Sequence, residues 1–217
     1  MKNEPIRGTV LSVKIISNVS PDLAEKLELK PHHKSLGIIT ADSDDITYTA
    51  LDEATKAADV EVVYAKSFYA GAGNASTKLA GEVIGILAGP SPAEVKSGVS
   101  IAIDHIENGA HFVSANDDNS IPYFAHCISR TGTYLSSVAG VEEGEAIAYL
   151  IAPPAEAMYA LDAALKAASV KLVAFYGPPS ETNFGGGLLT GSQSACKAAC
   201  DAFAAAVVYV AENPTSY

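Results

Sequence analysis

The chain has 217 residues, 48% hydrophobic and 18% charged, which argues against general disorder and allows one large domain or two small ones. Fourteen Lys and Arg stand against 25 Asp and Glu, a formal charge of −11, so nucleic acid and anionic membrane are poor partners and small cations better ones. Three cysteines, an odd count with Cys196 and Cys200 four residues apart, make no secreted disulfide framework. The N-terminal MKNEPIRGTV has no apolar core, and no run approaches about 18 uninterrupted apolar residues, so the expectation is a cytoplasmic protein without a membrane span.

In chain order, TVLSVKIIS (9–17) alternates as a half-buried strand does, and Ser20-Pro21-Asp22 opens a short helix. A strand follows at Leu36–Thr40, then a helix over about 51–58 and a strand at Val60–Tyr64. After a Gly/Ala/Ser loop comes a strand at Glu82–Leu87. A helix then opens at Ser91-Pro92, with Val95, Val99, Ala102, Ile103 and Ile106 on one face.

The same order then recurs. TALDEATKAADVEVV (49–63) matches YALDAALKAASVKLV (159–173) at nine of fifteen positions, among them Asp52/Asp162, Lys56/Lys166 and Val63/Val173. Upstream, Ile16-Ser17 matches Ile128-Ser129, Leu23 matches Leu135, and Ile38-Ile39 matches Leu150-Ile151. Downstream, Leu87 matches Leu189 and Gly89 matches Gly191. The second copy ends in an Ala-rich helix over about 192–212. The expectation is a mixed α/β (α+β) fold of two tandem domains, 1–110 and 111–217. Each makes a modest core suited to packing against neighbours.

Motifs for chemistry are sparse. Asp42-Ser43-Asp44-Asp45 with Glu53 imitates a calcium loop, but Ile46 and Thr47 replace a ligand and the turn glycine. Gly71-Ala72-Gly73 lacks the third glycine of a dinucleotide fingerprint and leads into a strand, so it reads with Gly185-Gly186-Gly187 as a flexible loop. Both loops follow the duplicated strand, and each carries aromatics: Phe68 and Tyr69 in one, Tyr176 and Phe184 in the other. Ser194-x-x-Lys197 resembles an acyl-enzyme motif without its Lys-Thr-Gly partner, and Ser194 sits where a cap is expected. Cys196 and Cys200 share a helix face and read as buried thiols. His32-His33 beside the acidic turn is a weak zinc candidate, and no metal site is assigned.

The blocks SLGIITADSDDITYTALDEATKAADVEVVYAKSFYAG, GEVIGILAGPSPAEVKSG, SRTGTYLSSVAG, APPAEAMYALDAALKAA and SETNFGGGLLTGSQSACKAAC resemble one family. It is the tandem-domain, trimeric shell-protein family, L type, of the ethanolamine-utilisation bacterial microcompartment. The likeness covers about residues 10–212. It implies two circularly permuted shell domains, no enzymatic activity, and a homotrimer that looks like a hexamer and tiles with other shell proteins in the cytoplasm. It also implies a central pore gated by loops of about 67–77 and 176–187, hence Tyr69, Gly71, Gly73, Phe184, Gly185 and Gly186. Small ethanolamine-binding pores are implied at Asp44, Asp45, Glu82 and Phe112. No resident cofactor is implied, with passage or weak binding of cobalamin left open. The alternatives are a metal-dependent enzyme or a small-amine sensor built on the acidic turn 42–45.

Overall fold

The computed structural model describes residues 2–68, 77, 79–180 and 182–216. The first stretch of chain runs β1 (Pro5–Arg7), β2 (Val10–Ile16), α1 (Pro21–Lys26), β3 (Ser35–Ala41), α2 (Asp44–Ala57), β4 (Glu61–Ser67), β5 (Val83–Gly89) and α3 (Pro92–Asn108). The second runs β6 (His111–Ser114), β7 (Pro122–Ile128), α4 (Thr133–Ala139), β8 (Ala146–Ala152), α5 (Pro154–Ala167), β9 (Val170–Tyr176), β10 (Gly185–Gly191) and α6 (Gln193–Glu212).

One sheet has the order β2-β3-β5-β4, and the other has β1-β6-β7-β8-β10-β9. The last four strands of the second therefore repeat the whole of the first. The repetition extends to irregularities. Pairing of β4 with β5 skips Val63, and pairing of β9 with β10 skips Val173, so the two bulges are equivalent. Register also corrects one sequence match. Ile39 lies opposite Val13 and Gly85, and Leu150 lies opposite Ala125 and Gly187. Ile39, not Ile38, is thus the counterpart of Leu150. A one-residue slip would exchange the two faces of the strand, and burial of Ile39 and Leu150 pins it.

The chain forms two compact units. One contains Arg7–Ala110 with Gly132–Leu135; the other contains Met1–Ile6, His111–Thr131 and Ser136–Tyr217. The expected domains, 1–110 and 111–217, differ from these at two short segments. Residues 3 and 4 bond to Ser114 just before β1, which lies beside β6 at the sheet edge, and Gly132 and Leu135 bond to Asp52.

In the first unit, β3 and β5 bury Leu36, Ile39 and Leu87. Helix α3 lays Val95, Val99, Ala102 and Ile106 over the sheet at helical spacing, with Ile103 half-buried at the margin. The Ser91 hydroxyl accepts the Glu94 N–H at 3.3 Å and caps it. Helix α2 begins at Asp44, seven residues before the expected 51. The run ITYT reads against a helix because β-branched side chains lose rotamer freedom there. Burial of Ile46, Thr47 and Thr49 overrides that preference, and the two threonine hydroxyls donate to Ser43 O and Ile46 O.

In the second unit, β8 is buried along its whole length. Helix α6 buries Cys196, Ala199, Cys200, Phe203, Ala206 and Val207 as one stripe in a core shared with α5. By length and composition α6 is apolar enough to cross a membrane, which the sequence reading did not expect. Its buried stripe and the exposed Lys197–Asp201 pair are those of a core helix lying on a sheet.

Candidate functional site

The acidic turn lies where β3 ends and α2 begins. Asp44 and Asp45 occupy the first turn of α2, where the helix dipole favours negative charge, and both are buried. Asp44 accepts the Asp45 N–H at 2.9 Å, and Asp42 accepts the Thr9 N–H at 2.6 Å. Glu82 arrives from the other side, just before β5. Its N–H donates to Ala41 O at 2.7 Å, and its own carbonyl accepts from Phe68 N–H at 2.7 Å. Gly81 makes this approach possible. It has φ +71°, and a Cβ there would meet Ala41 O at 2.6 Å.

The Glu82 carboxyl thus lies close to those of Asp44 and Asp42. Burial, then the charges of Asp44 and Asp42, raise the Glu82 pKa to about 7. Burial also pushes the Tyr48 phenol up to about 12, against a hydrogen bond with Ser67 and with Asp44 and Asp45 adding to the rise. Such a site suits a small cation carrying N–H donors. Carboxylates are acceptor-only when ionised, and an incoming positive charge relieves their mutual repulsion.

Phe112 does not belong to this unit. It packs in the second unit against Phe124, with ring centroids at 5.1 Å, and Phe184, at 6.2 Å. Phe184 precedes β10 as Glu82 precedes β5, so the two repeats place opposite chemistries at one equivalent position.

The remaining pore expectations divide. Tyr69, Gly71 and Gly73 lie outside the described residues. Gly185 and Gly186, expected in a flexible loop, instead open β10 and are buried between paired strands. A Cβ on Gly186, at φ +148°, would lie 1.8 Å from Leu150 O. That glycine permits close strand approach and is no hinge.

The other candidates resolve into structural roles. His32, His33 and Glu61 form the group able to hold a metal among the described residues, and none of the acidic-turn residues joins it. One of the lone pairs is already in use. His33 Nδ1 accepts the Lys30 N–H at 3.3 Å, which leaves the ring proton on Nε2, 3.6 Å from Glu61. Lys30 Nζ holds Glu61 as well, at 2.6 Å, and keeps its carboxyl below the usual range. Lys197 is paired with Asp201, which raises its pKa and unfits it as a base for Ser194. Ser194 Oγ instead lies 3.1 Å from the capping Ser192 hydroxyl. Burial lifts Cys196 to about 11 and Cys200 to about 12, so both stay thiols.

Duplicated antiparallel α/β repeats of one strand order define a tandem-repeat protein, and the BMC domain family model matches it twice, at residues 35–121 and 150–214. The chain is 74% identical over 217 residues to the bacterial microcompartment shell protein EutL of Clostridium perfringens, covering 100% of both. It is 56% identical to EutL of Escherichia coli, covering 96% of this chain and 95% of that one. The crystal structure of ethanolamine utilization protein EutL from Leptotrichia buccalis superposes with a TM-score of 0.98 at 72% identity, covering 100% of both chains. The chain belongs to the BMC-domain family, among the bacterial microcompartment shell proteins of the EutL type.

Proposed function

We infer that this protein is a structural component of the shell of the ethanolamine-utilisation microcompartment in the bacterial cytoplasm, and not an enzyme. The observation that carries the reading is 74% identity to a shell protein over the full length of both chains. The finer reading is that three chains close a six-domain ring, because a duplicated domain with one head-to-tail surface does so. Such rings tile with other shell proteins into a facet. Native mass spectrometry is expected to show a trimer, and electron microscopy at high protein concentration is expected to show sheets. A monomer at micromolar concentration overturns the tile.

The acidic site supplies the permeability function. Asp44, with Asp45 and Glu82, binds the ammonium end of ethanolamine, and weak affinity lets the bound molecule leave. Millimolar binding corresponds to about −4 kcal/mol, within reach of one or two partly hydrated ion pairs. Support comes from the crowded carboxyls and the raised Glu82 pKa. Phe112 packs against Phe124 in the other unit and is not assigned to this site. Any central gate rests on Phe184 and the 67–77 segment, with Gly185 and Gly186 held in their strand. Calorimetric titration with ethanolamine is expected to show several-fold weaker binding by Asp44→Ala and Glu82→Gln, with assembly intact. Wild-type binding should strengthen as pH rises through about 7, where Glu82 ionises. Equal affinity of all three proteins would place the amine elsewhere.

A further inference from the structure

We propose that the Tyr48 hydroxyl, held by Ser67, recognises the hydroxyl of the bound amine, so that the acidic site selects amino alcohols over alkylamines of the same charge. The proposal rests on the reading of that site as an amine site and names the residue that sets its specificity.

Helix geometry aims Tyr48 at the carboxyls. Tyr48 follows Asp44 by one turn in α2 and Asp45 by three residues, so all three share one face. A long side chain in a helix leans back over the preceding turn, which carries the Tyr48 ring toward both acids. At its far end the hydroxyl meets Ser67 in a hydrogen bond. Ser67 ends β4 opposite Val83, the residue after Glu82, and the next N–H along, that of Phe68, donates to Glu82 O at 2.7 Å. The hydroxyl therefore lies between the acidic turn and the strand that brings Glu82. Tyr134 backs the ring, with centroids 6.1 Å apart. Burial first, then the charges of Asp44 and Asp45, hold the phenol pKa at about 12, so the hydroxyl keeps its proton.

The two ends of an amino alcohol need different partners. An ammonium only donates and is met by carboxylates, whereas a hydroxyl is best met by a group that both donates and accepts. Tyr48 and Ser67 are of that second kind, and both are half-buried, within reach of a small solute. The duplication separates this role from the needs of the fold. Asp44, Asp45, Tyr48, Ser67 and Glu82 have Pro154, Ala155, Met158, Gly177 and Phe184 as their equivalents in the second repeat. The same strand order and the same helix form there without any of these polar side chains. Core positions of that helix are kept instead, with Ala50, Leu51 and Ala54 recurring as Ala160, Leu161 and Ala164. Acids and hydroxyls are thus present together in one repeat and replaced together in the other, as expected of one binding set.

The test is a matched pair of calorimetric titrations of the full-length wild type and Tyr48→Phe. One ligand is ethanolamine; the other is ethylamine, which has the same charge and no hydroxyl. At pH 8, where Glu82 is ionised, the wild type is expected to prefer ethanolamine about three- to tenfold, the range of one net hydrogen bond. Tyr48→Phe should bring that preference below about twofold by weakening ethanolamine alone, with ethylamine affinity and circular dichroism unchanged. Ser67→Ala, which leaves the ring in place, should lower the preference at least about twofold and serves if Tyr48→Phe does not fold. An unchanged preference in the folded variants overturns the assignment. Equal weakening of both amines by Tyr48→Phe also overturns it, because the ring then only supports the site. A wild type that binds both amines equally overturns the selectivity alone, whereas one that binds neither overturns the amine site and the selectivity together.

Discussion

Glu82 carries its proton at a cost that depends on pH. Its pKa is about 7 in the fold against an ordinary value of 4.5, so the folded state holds the proton more tightly than the unfolded chain. Stability from this group is fully present below about pH 4.5 and is lost as pH rises toward 7. Glu82→Gln keeps the shape and removes the titration. At pH 8 it is expected to stabilise the protein by about 1–2 kcal/mol, a figure reduced for solvent screening, with little effect at pH 4. Urea melts at the two pH values check this; equal shifts at both would mean that Glu82 gains its stability from a neutral hydrogen bond. The same substitution then weakens amine binding while strengthening the fold, as expected where function holds like charges together. The acids Asp42, Asp44 and Asp45 were legible as an acidic turn. Glu82 as their neighbour was not legible from spacing, because Gly81 and the β3–β5 pairing bring it there across forty residues of chain.

Among the elements, β10 departs most from its sequence appearance. Three consecutive glycines signal a loop, since glycine gives up the most freedom on ordering. Here the backbone of β8 passes so close to Gly186 that no side chain fits. Gly186→Ala is therefore expected to cost about 3 kcal/mol or more, or to leave the protein insoluble, as measured by thermal unfolding. A hinge glycine would tolerate alanine at about 1 kcal/mol. An unchanged Tm would return this run to the loop class. Helix α3 shows the opposite case. Its cap, its first-turn proline and its apolar period all agree, so it was readable to within a residue or two. Helix α2 was only half readable, because its first two turns are made by burial against intrinsic preference.

Over the whole molecule, the duplication sets up a comparison that the protein answers with itself. Asp52→Ala strips a buried acceptor from two backbone N–H groups and is expected to cost about 2–4 kcal/mol of folding stability. Asp162→Ala removes an exposed surface pair and should change the stability of a dissociated protomer by less than about 0.5 kcal/mol. Chemical denaturation at a concentration below assembly measures both. Equal losses would show that the helix, and not the segment it holds, sets the value of the aspartate.

From the sequence alone came the duplication, the α/β class, the order of the repeated elements and the acidic turn, but not the added strands β1 and β6. All of these reside in periodicity, caps and repeated side chains, which act over a few residues at a time. The tertiary structure decided the register of β3 and β8, the seating of Gly185–Gly187 in a strand, the approach of Glu82 to Asp44, and the opposite fates of Asp52 and Asp162. Each of these depends on which distant backbone comes within a few ångströms. Identical residues therefore acquire different energies once one is covered by a neighbouring segment and the other remains in water.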